Sequence, residues 1–118
     1  MSIKDKVIIV TGGTSGIGEA CSRHFASLGA RVVIASNQQE RGEALEKELR
    51  DAGHAARFVF ADVSQEESVK AMVRSALGCF GRIDGVHCNA GVWGKGRVTE
   101  FDDAAWDRLT GVNVKSVF

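Results

Sequence analysis

Eight consecutive residues, Thr11-Gly12-Gly13-Thr14-Ser15-Gly16-Ile17-Gly18, have the types and spacing best suited to chemistry. Glycines there let the chain turn tightly. They also bring backbone N–H groups up to a pyrophosphate at the N-terminus of a following helix. Gly12 to Gly18 are therefore expected under the phosphates, with any side chain at Gly18 crowding them. Gly13 and Gly18 have nucleoside-triphosphate-loop spacing, but Glu19-Ala20 stands where that loop needs Lys and Ser or Thr. A carboxylate at that point opposes a triphosphate. The G-x-G-x-x-G dinucleotide pattern is also absent. A turn of no function is the bland alternative, and the strand before it and helix after it weigh against that.

Three further positions carry polar groups at the ends of apolar patterns. Asp62 follows the apolar run RFVFA, where a carboxylate lies in the crevice used by ligands of parallel sheets. It could accept a hydrogen bond from an adenine amino group, or it could cap the next helix. Asn89-Ala90-Gly91 leaves a fourth apolar run; its small residues admit a ribose, and Asn89 could tie strand ends together, or the segment is a plain turn. Asn113 lies seven residues after Trp106 and four after Leu109, on the apolar face of a helix, where its amide needs partners.

The elements that must position these groups follow from apolar patterning. Lys6–Thr11, Arg31–Ala35, Arg57–Ala61 and Ile83–Cys88 read as strands, the last weakened by Gly85. Their continuous apolar runs point to burial on both faces. A first helix after Gly16 carries Ile17, Ala20, Cys21, Phe25 and Leu28 on its inner stripe and stops at Gly29. A second spans Gln38–Asp51, with Leu45 and Leu49 inward and a capping box from Ser36 and Gln39 or from Asn37 and Glu40. A third opens with a box from Ser64 and Glu67, buries Val69, Met72, Val73, Ala76, Leu77 and Phe80 on one stripe, and stops at Gly81. From Asp102 a last helix carries Trp106, Leu109, Val112 and Val117. The order β-α-β-α-β-α-β-α predicts a doubly wound, Rossmann-type α/β fold with a parallel sheet of order 3-2-1-4.

The segment TGGTSGIG resembles the T-G-x-x-x-G-I-G cofactor motif of the short-chain dehydrogenase/reductase family. Asp62-Val63, Asn89-Ala90-Gly91 and Asn113 follow in the family's order, so the resemblance spans nearly the whole chain. Cys88 stands where the family most often has another asparagine. The resemblance implies an NAD(P)(H)-dependent oxidoreductase interconverting an alcohol and a carbonyl. It implies cofactor contacts at Thr11, Gly12, Thr14, Ser15, Gly16, Ile17, Gly18, Ser36, Asn37, Asp62, Val63, Asn89, Ala90 and Gly91. It makes Asn113 the asparagine of an Asn-Ser-Tyr-Lys catalytic set, holding a water in a proton relay through a locally distorted helix. It implies a homo-oligomer in the full-length protein. The remaining catalytic residues lie in Tyr-x-x-x-Lys after a serine, and these 118 residues contain no tyrosine. Residues 1–118 are thus expected to be one dinucleotide-binding domain, incomplete at the C-terminus and cut after about four strands. Alone, they are expected to be inactive.

Cofactor choice turns on the end of the second strand. A carboxylate there holds both ribose hydroxyls and repels a 2′-phosphate. Ser36 and Asn37 are neutral, and Arg41 follows within a turn. The missing carboxylate inclines the reading to NADP(H) and leaves NAD(H) open, since Ser15 stands where NADP-preferring relatives often carry a basic residue.

Composition excludes other classes. Fifteen basic and fifteen acidic residues give zero formal charge, which argues against a phosphate-neutralising nucleic-acid surface. Four-residue apolar runs such as Val7–Val10 and Val32–Ala35 are too short to span a membrane or act as a signal sequence. Cys21, Cys79 and Cys88 are odd in number with no C-x-x-C pair, so neither a disulfide framework nor a metal site is expected, and the cytoplasm is the expected location. Two rival functions remain: a non-catalytic dinucleotide-sensing module, and a Rossmann-like methyltransferase. The second calls for an acid where Ser36 stands. His24 reads as a partly buried structural histidine.

Overall fold

The computed structural model describes residues 2–118. Four parallel strands, β1 (Val7–Thr11), β2 (Arg31–Ser36), β3 (Ala56–Phe60) and β4 (Gly85–His87), form one sheet of order β3-β2-β1-β4. The register places Ile9 beside Val33 and Val86, with Val33 beside Arg57. Three helices connect the strands: α1 (Gly16–Ser27), α2 (Gln39–Asp51) and α3 (Glu66–Phe80). A 3₁₀ turn at Val98–Glu100, absent from the sequence expectations, leads into α4 (Asp103–Thr110), which runs into a π-helical turn at Gly111–Lys115.

Alternation along the central strands divides the core. Val10, Val32 and Ile34 pack with Ala26 of α1 and Leu45 and Leu49 of α2. Val7, Ile9, Val33 and Ala35 pack on the other face with Met72 and Ala76 of α3. β1 and β2 are buried on both sides, as their unbroken apolar runs require. Each fully buried Val or Ile contributes about 1.5–3 kcal/mol.

Several local expectations are corrected. The buried face of α1 is Gly18, Ser22 and Ala26. Cys21 and Phe25 are only partly covered, Ala20, Leu28 and His24 are exposed, and Ile17 is 75% exposed. Small residues face the sheet because this helix starts hard against the turn that precedes it. β4 is three residues rather than six; it begins only at Gly85 and lies at a sheet edge with one neighbouring strand, where less pairing is held. The capping boxes do not form: α2 is capped at Gln38 and α3 at Gln65, neither with a side-chain cap bond. Ser36 and Ser64 are engaged elsewhere. α4 is capped by Asp102, whose Oδ1 accepts from Ala105 N–H at 2.8 Å, but the apolar stripe expected from Asp102 onward is largely uncovered, Trp106 being 66% and Val117 60% exposed.

One carboxylate fastens the entry to the sheet. Asp84 Oδ2 accepts the N–H of Val7 at 2.8 Å, and Oδ1 pairs with Arg82. The Val7 N–H first, then Arg82, holds the Asp84 carboxyl below its ordinary range. A carboxyl depressed in the folded state adds stability above its unfolded pKa of about 3.9, and loses it as pH falls through the folded value. Melting temperature should therefore fall with acidification below about pH 4. In Asp84→Asn, whose Oδ1 still accepts from Val7, that fall should be shallower; identical slopes in a pH series of melting curves would contradict this role.

Candidate active site: a cofactor cleft at the strand ends

The carboxyl ends of β1, β2 and β4 meet the N-terminus of α1. Gly12 and Gly16 have φ of +63° and +52°, the left-handed region that favours glycine. A Cβ on Gly16 would meet nothing within 4 Å, so that backbone faces open space. Ser15, the residue before α1, makes no side-chain cap bond. The first amides of α1 have no intrahelical acceptor and point out with the positive end of the helix dipole.

The turn is held from behind by Asn89. Its Nδ2 donates to Thr11 O at 3.1 Å and Gly12 O at 3.2 Å. The N–H groups of Asn89 and Ala90 both donate to Thr11 Oγ1 at 3.1 Å. The β1 and β4 ends are thereby tied together. Gly18 packs into the same clasp, and a Cβ there would lie 2.0 Å from Gly12 O and 2.4 Å from Asn89 Nδ2. The crowding expected against phosphates falls on the turn instead. Gly18 faces inward because α1 crosses directly over the loop.

Asp62 leaves β3 with its two oxygens in different surroundings. Oδ1 accepts from Ser64 N–H at 3.0 Å and Ser64 Oγ at 2.6 Å, while Asp62 N–H donates to Ser68 Oγ at 2.8 Å. This is the local turn that displaces the expected Ser64 capping box. Among the described residues, Oδ2 has no hydrogen-bond donor. Val63 lies beside it in the cleft wall.

Asn113 sits in the π-helical turn, where Ser116 N–H reaches back to Gly111 O at 3.1 Å. Its side chain is exposed, not buried on an apolar face. Both ends of the amide bond the backbone of Val92: Oδ1 accepts its N–H at 2.8 Å, and Nδ2 donates to its carbonyl at 2.7 Å. Asn113 thus fixes the chain just beyond Asn89-Ala90-Gly91.

These elements enclose a cleft of about 230 Å³. Gly12, Thr14 and Ser15 line it from the glycine turn, Ser36 and Asn37 from β2, Asp62 and Val63 from β3, and Ala90 and Gly91 from β4. Thr11, Gly16, Ile17, Gly18, Asn89 and Asn113 are not in the lining: Thr11, Gly18 and Asn89 form the clasp behind, and Gly16 and Ile17 begin the helix at its rim. Gln38, Val92 and Val112 line the cleft and were missed. Each adjoins an expected residue, so chain adjacency was the available signal. The volume of about 230 Å³ is below the roughly 300–1,000 Å³ of sites that enclose a drug-sized ligand, so the cleft is too small to enclose a whole dinucleotide. The open backbone at Gly16, the uncapped helix start and the unpartnered Asp62 Oδ2 fit such a group.

Comparison with known proteins decides the family. The profile described as short chain dehydrogenase matches residues 6–118. The chain belongs to the short-chain dehydrogenase family. It is 40% identical over 114 residues to the cis-4-hydroxycyclohexanecarboxylate dehydrogenase of Sinomonas cyclohexanicum, a match covering 96% of this chain and 45% of the relative. Among solved short-chain dehydrogenases, one from Burkholderia phymatum in complex with NAD has a TM-score of 0.96 at 34% identity, covering 99% of this chain and 42% of that one. A metagenomic short-chain oxidoreductase in complex with NADP gives 0.90 at 38% identity, covering 98% and 53%. The chain spans about half the length of the curated relatives it matches. Short-chain dehydrogenase membership agrees with the Rossmann-type sheet order and the glycine turn. Among the described residues, no helix is long and apolar enough to cross a membrane.

Proposed function

We propose that the chain is the cofactor-binding part of an NAD(P)(H)-dependent oxidoreductase that interconverts an alcohol and a carbonyl. The observation that carries the reading is the cleft itself: an uncapped helix start, an open glycine backbone and a free carboxylate oxygen converge at the carboxyl ends of parallel strands. When bound, the nicotinamide supplies or takes up hydride. The chain's own part is binding and orientation. The amides from Gly12 to Gly18 receive the pyrophosphate, Asp62 Oδ2 accepts from the adenine amino group with Val63 N–H beside it, and Asn89-Ala90-Gly91 leaves room for a ribose. Thr14, Ser15, Ser36 and Asn37 border the adenosine end. Asn113 positions the loop at Val92 and, by the family resemblance, takes part in proton transfer with residues outside these 118.

The lack of a carboxylate at Ser36 and Asn37 supports NADP(H) over NAD(H). A cytoplasmic homo-oligomer acting on a small alcohol or ketone completes the reading. The second reading, a dinucleotide-sensing module without catalysis, is favoured by one observation: among the described residues, Asp62 is the one titratable side chain lining the cleft. Hydride transfer from NADPH to a panel of ketones by the intact protein separates the two.

Asp62→Asn tests the binding mode. Its Oδ1 keeps the Ser64 turn, but an NH₂ replaces the free Oδ2 and faces another donor on adenine. Affinity for NADH and NADPH should fall about tenfold, the cost of one hydrogen bond to a charged group. Unchanged affinity by calorimetry would remove Asp62 from the site.

A further inference from the structure

Three residues at the mouth of the cleft close a hydrogen-bond ring. The N–H of Gln38 donates to Ser36 Oγ at 3.1 Å. Thr14 Oγ1 donates to Gln38 Oε1 at 2.9 Å. A hydroxyl carries one hydrogen. With that of Thr14 directed to Gln38, the 2.8 Å contact between Thr14 Oγ1 and Ser36 Oγ is donated by Ser36. The Ser36 hydrogen is therefore held inside the ring. Thr14 and Ser36 are 2% and 6% exposed. Toward the cleft Ser36 offers only a lone pair, which does not favour a phosphate oxygen. Asn37 is exposed in the cleft wall, and among the described residues its side chain makes no hydrogen bond.

We propose that Gln38 is a positioning residue for cofactor choice: it closes the ring, keeps the Ser36 hydroxyl turned inward, and leaves Asn37 to meet the 2′ substituent of the ribose. This rests on the dinucleotide reading above. The ring also accounts for the missing cap at α2, since the Gln38 side chain folds back to the glycine turn. Gln38→Leu removes the acceptor of Thr14. Thr14 then donates to Ser36, and the Ser36 hydrogen turns to the cleft, where a 2′-phosphate receives it as a charge-assisted bond. A 2′-hydroxyl gains less. Thr14→Val opens the ring from the other side by removing the acceptor of Ser36, and it keeps every backbone N–H of the turn.

The test is calorimetric titration of the intact protein with NADPH and NADH, in wild type, Gln38→Leu, Thr14→Val, Ser36→Ala and the Gln38→Leu/Ser36→Ala double variant, with circular dichroism as a check on folding. Gln38→Leu and Thr14→Val should each move the ratio of the two Kd values about tenfold toward NADPH. On the Ser36→Ala background, Gln38→Leu should add no further shift, because the hydroxyl it would turn is gone; a purely structural role for Gln38 would not depend on Ser36. If one ring-opening variant does not fold, the other decides. A ratio unmoved by ring opening, or moved by Gln38→Leu as far on the Ser36→Ala background as in wild type, overturns the proposal while leaving the dinucleotide reading intact. Failure of wild type to bind either dinucleotide overturns both.

Discussion

Gly18→Val is expected to cost about 3 kcal/mol of stability and to weaken dinucleotide binding severely. The reason is a backbone one. The first atom of any side chain at Gly18 would stand 2.0 Å from the carbonyl oxygen of Gly12 and 2.4 Å from the Asn89 amide nitrogen. The first neighbour is backbone, and the second, though the end of a side chain, is tied by its bonds to Thr11 O and Gly12 O. To admit the Cβ, α1 must lift from the turn, or the Asn89 bonds to Thr11 O and Gly12 O must break. The second course leaves two carbonyls at the strand ends without their donor, at about 1–3 kcal/mol for each group left buried and unpaired. Either course displaces the amides that face the cleft. Because φ at Gly18 is not in the left-handed region, Gly18→Ala isolates the packing cost from backbone strain and should show most of the loss. Melting curves measure the stability, and titration with NADPH measures the binding. A Gly18→Ala protein that melts with wild type and binds normally would show that the turn and helix can separate freely.

Residues 1–118 expressed alone are expected to give no hydride transfer with any alcohol or ketone. A general acid or base must lie within hydrogen-bond reach of the reacting oxygen and titrate near working pH. These residues include no tyrosine, an amide such as Asn113 does not titrate usefully, and among the described residues Asp62 is the one titratable side chain lining the cleft. Asp62 is also fastened to Ser64 through one oxygen. The isolated chain should self-associate as well. β4 stands at a sheet edge with Val86 48% exposed, and Trp106, Val114, Val117 and Phe118 present apolar surface on the α4 side. Open strand edges and apolar patches pair with other chains. Sedimentation and an assay panel with both cofactors give the readouts. A monomer that melts cooperatively and turns over a ketone would contradict the assignment of proton transfer to residues outside this chain.

Much of the fold was legible because two signals were strong. Unbroken apolar runs marked β1 and β2, which are buried on both faces, and glycines with left-handed φ at 29, 53 and 81 marked helix stops. The order of the sheet followed from alternation of strands and helices. What was not legible concerned close approach. The inner face of α1 is made of Gly18, Ser22 and Ala26, so a search for large apolar residues selected Ile17 and Leu28, which are exposed. Ser36 and Ser64 looked like caps by spacing alone, but Ser36 is buried at a strand end beside Thr14, and Ser64 folds back on Asp62. In the site, the backbone turn and Asp62 could be read from motif position. The Gln38 side chain could not, because its partner Thr14 is distant in sequence and meets it only across adjacent strand ends.

The central claim is that this cleft seats a nicotinamide dinucleotide by its adenosine and phosphate end. The most direct measurement is a structure of the intact protein with NADPH or NADH bound. The account predicts pyrophosphate oxygens on the amides between Gly12 and Gly18, and the adenine amino group within hydrogen-bond distance of Asp62 Oδ2. It also predicts the 2′ position of the adenosine ribose beside Asn37. A dinucleotide seated elsewhere, for instance along Val98, Phe101 and Trp106 at α4, with the glycine turn empty, would contradict it.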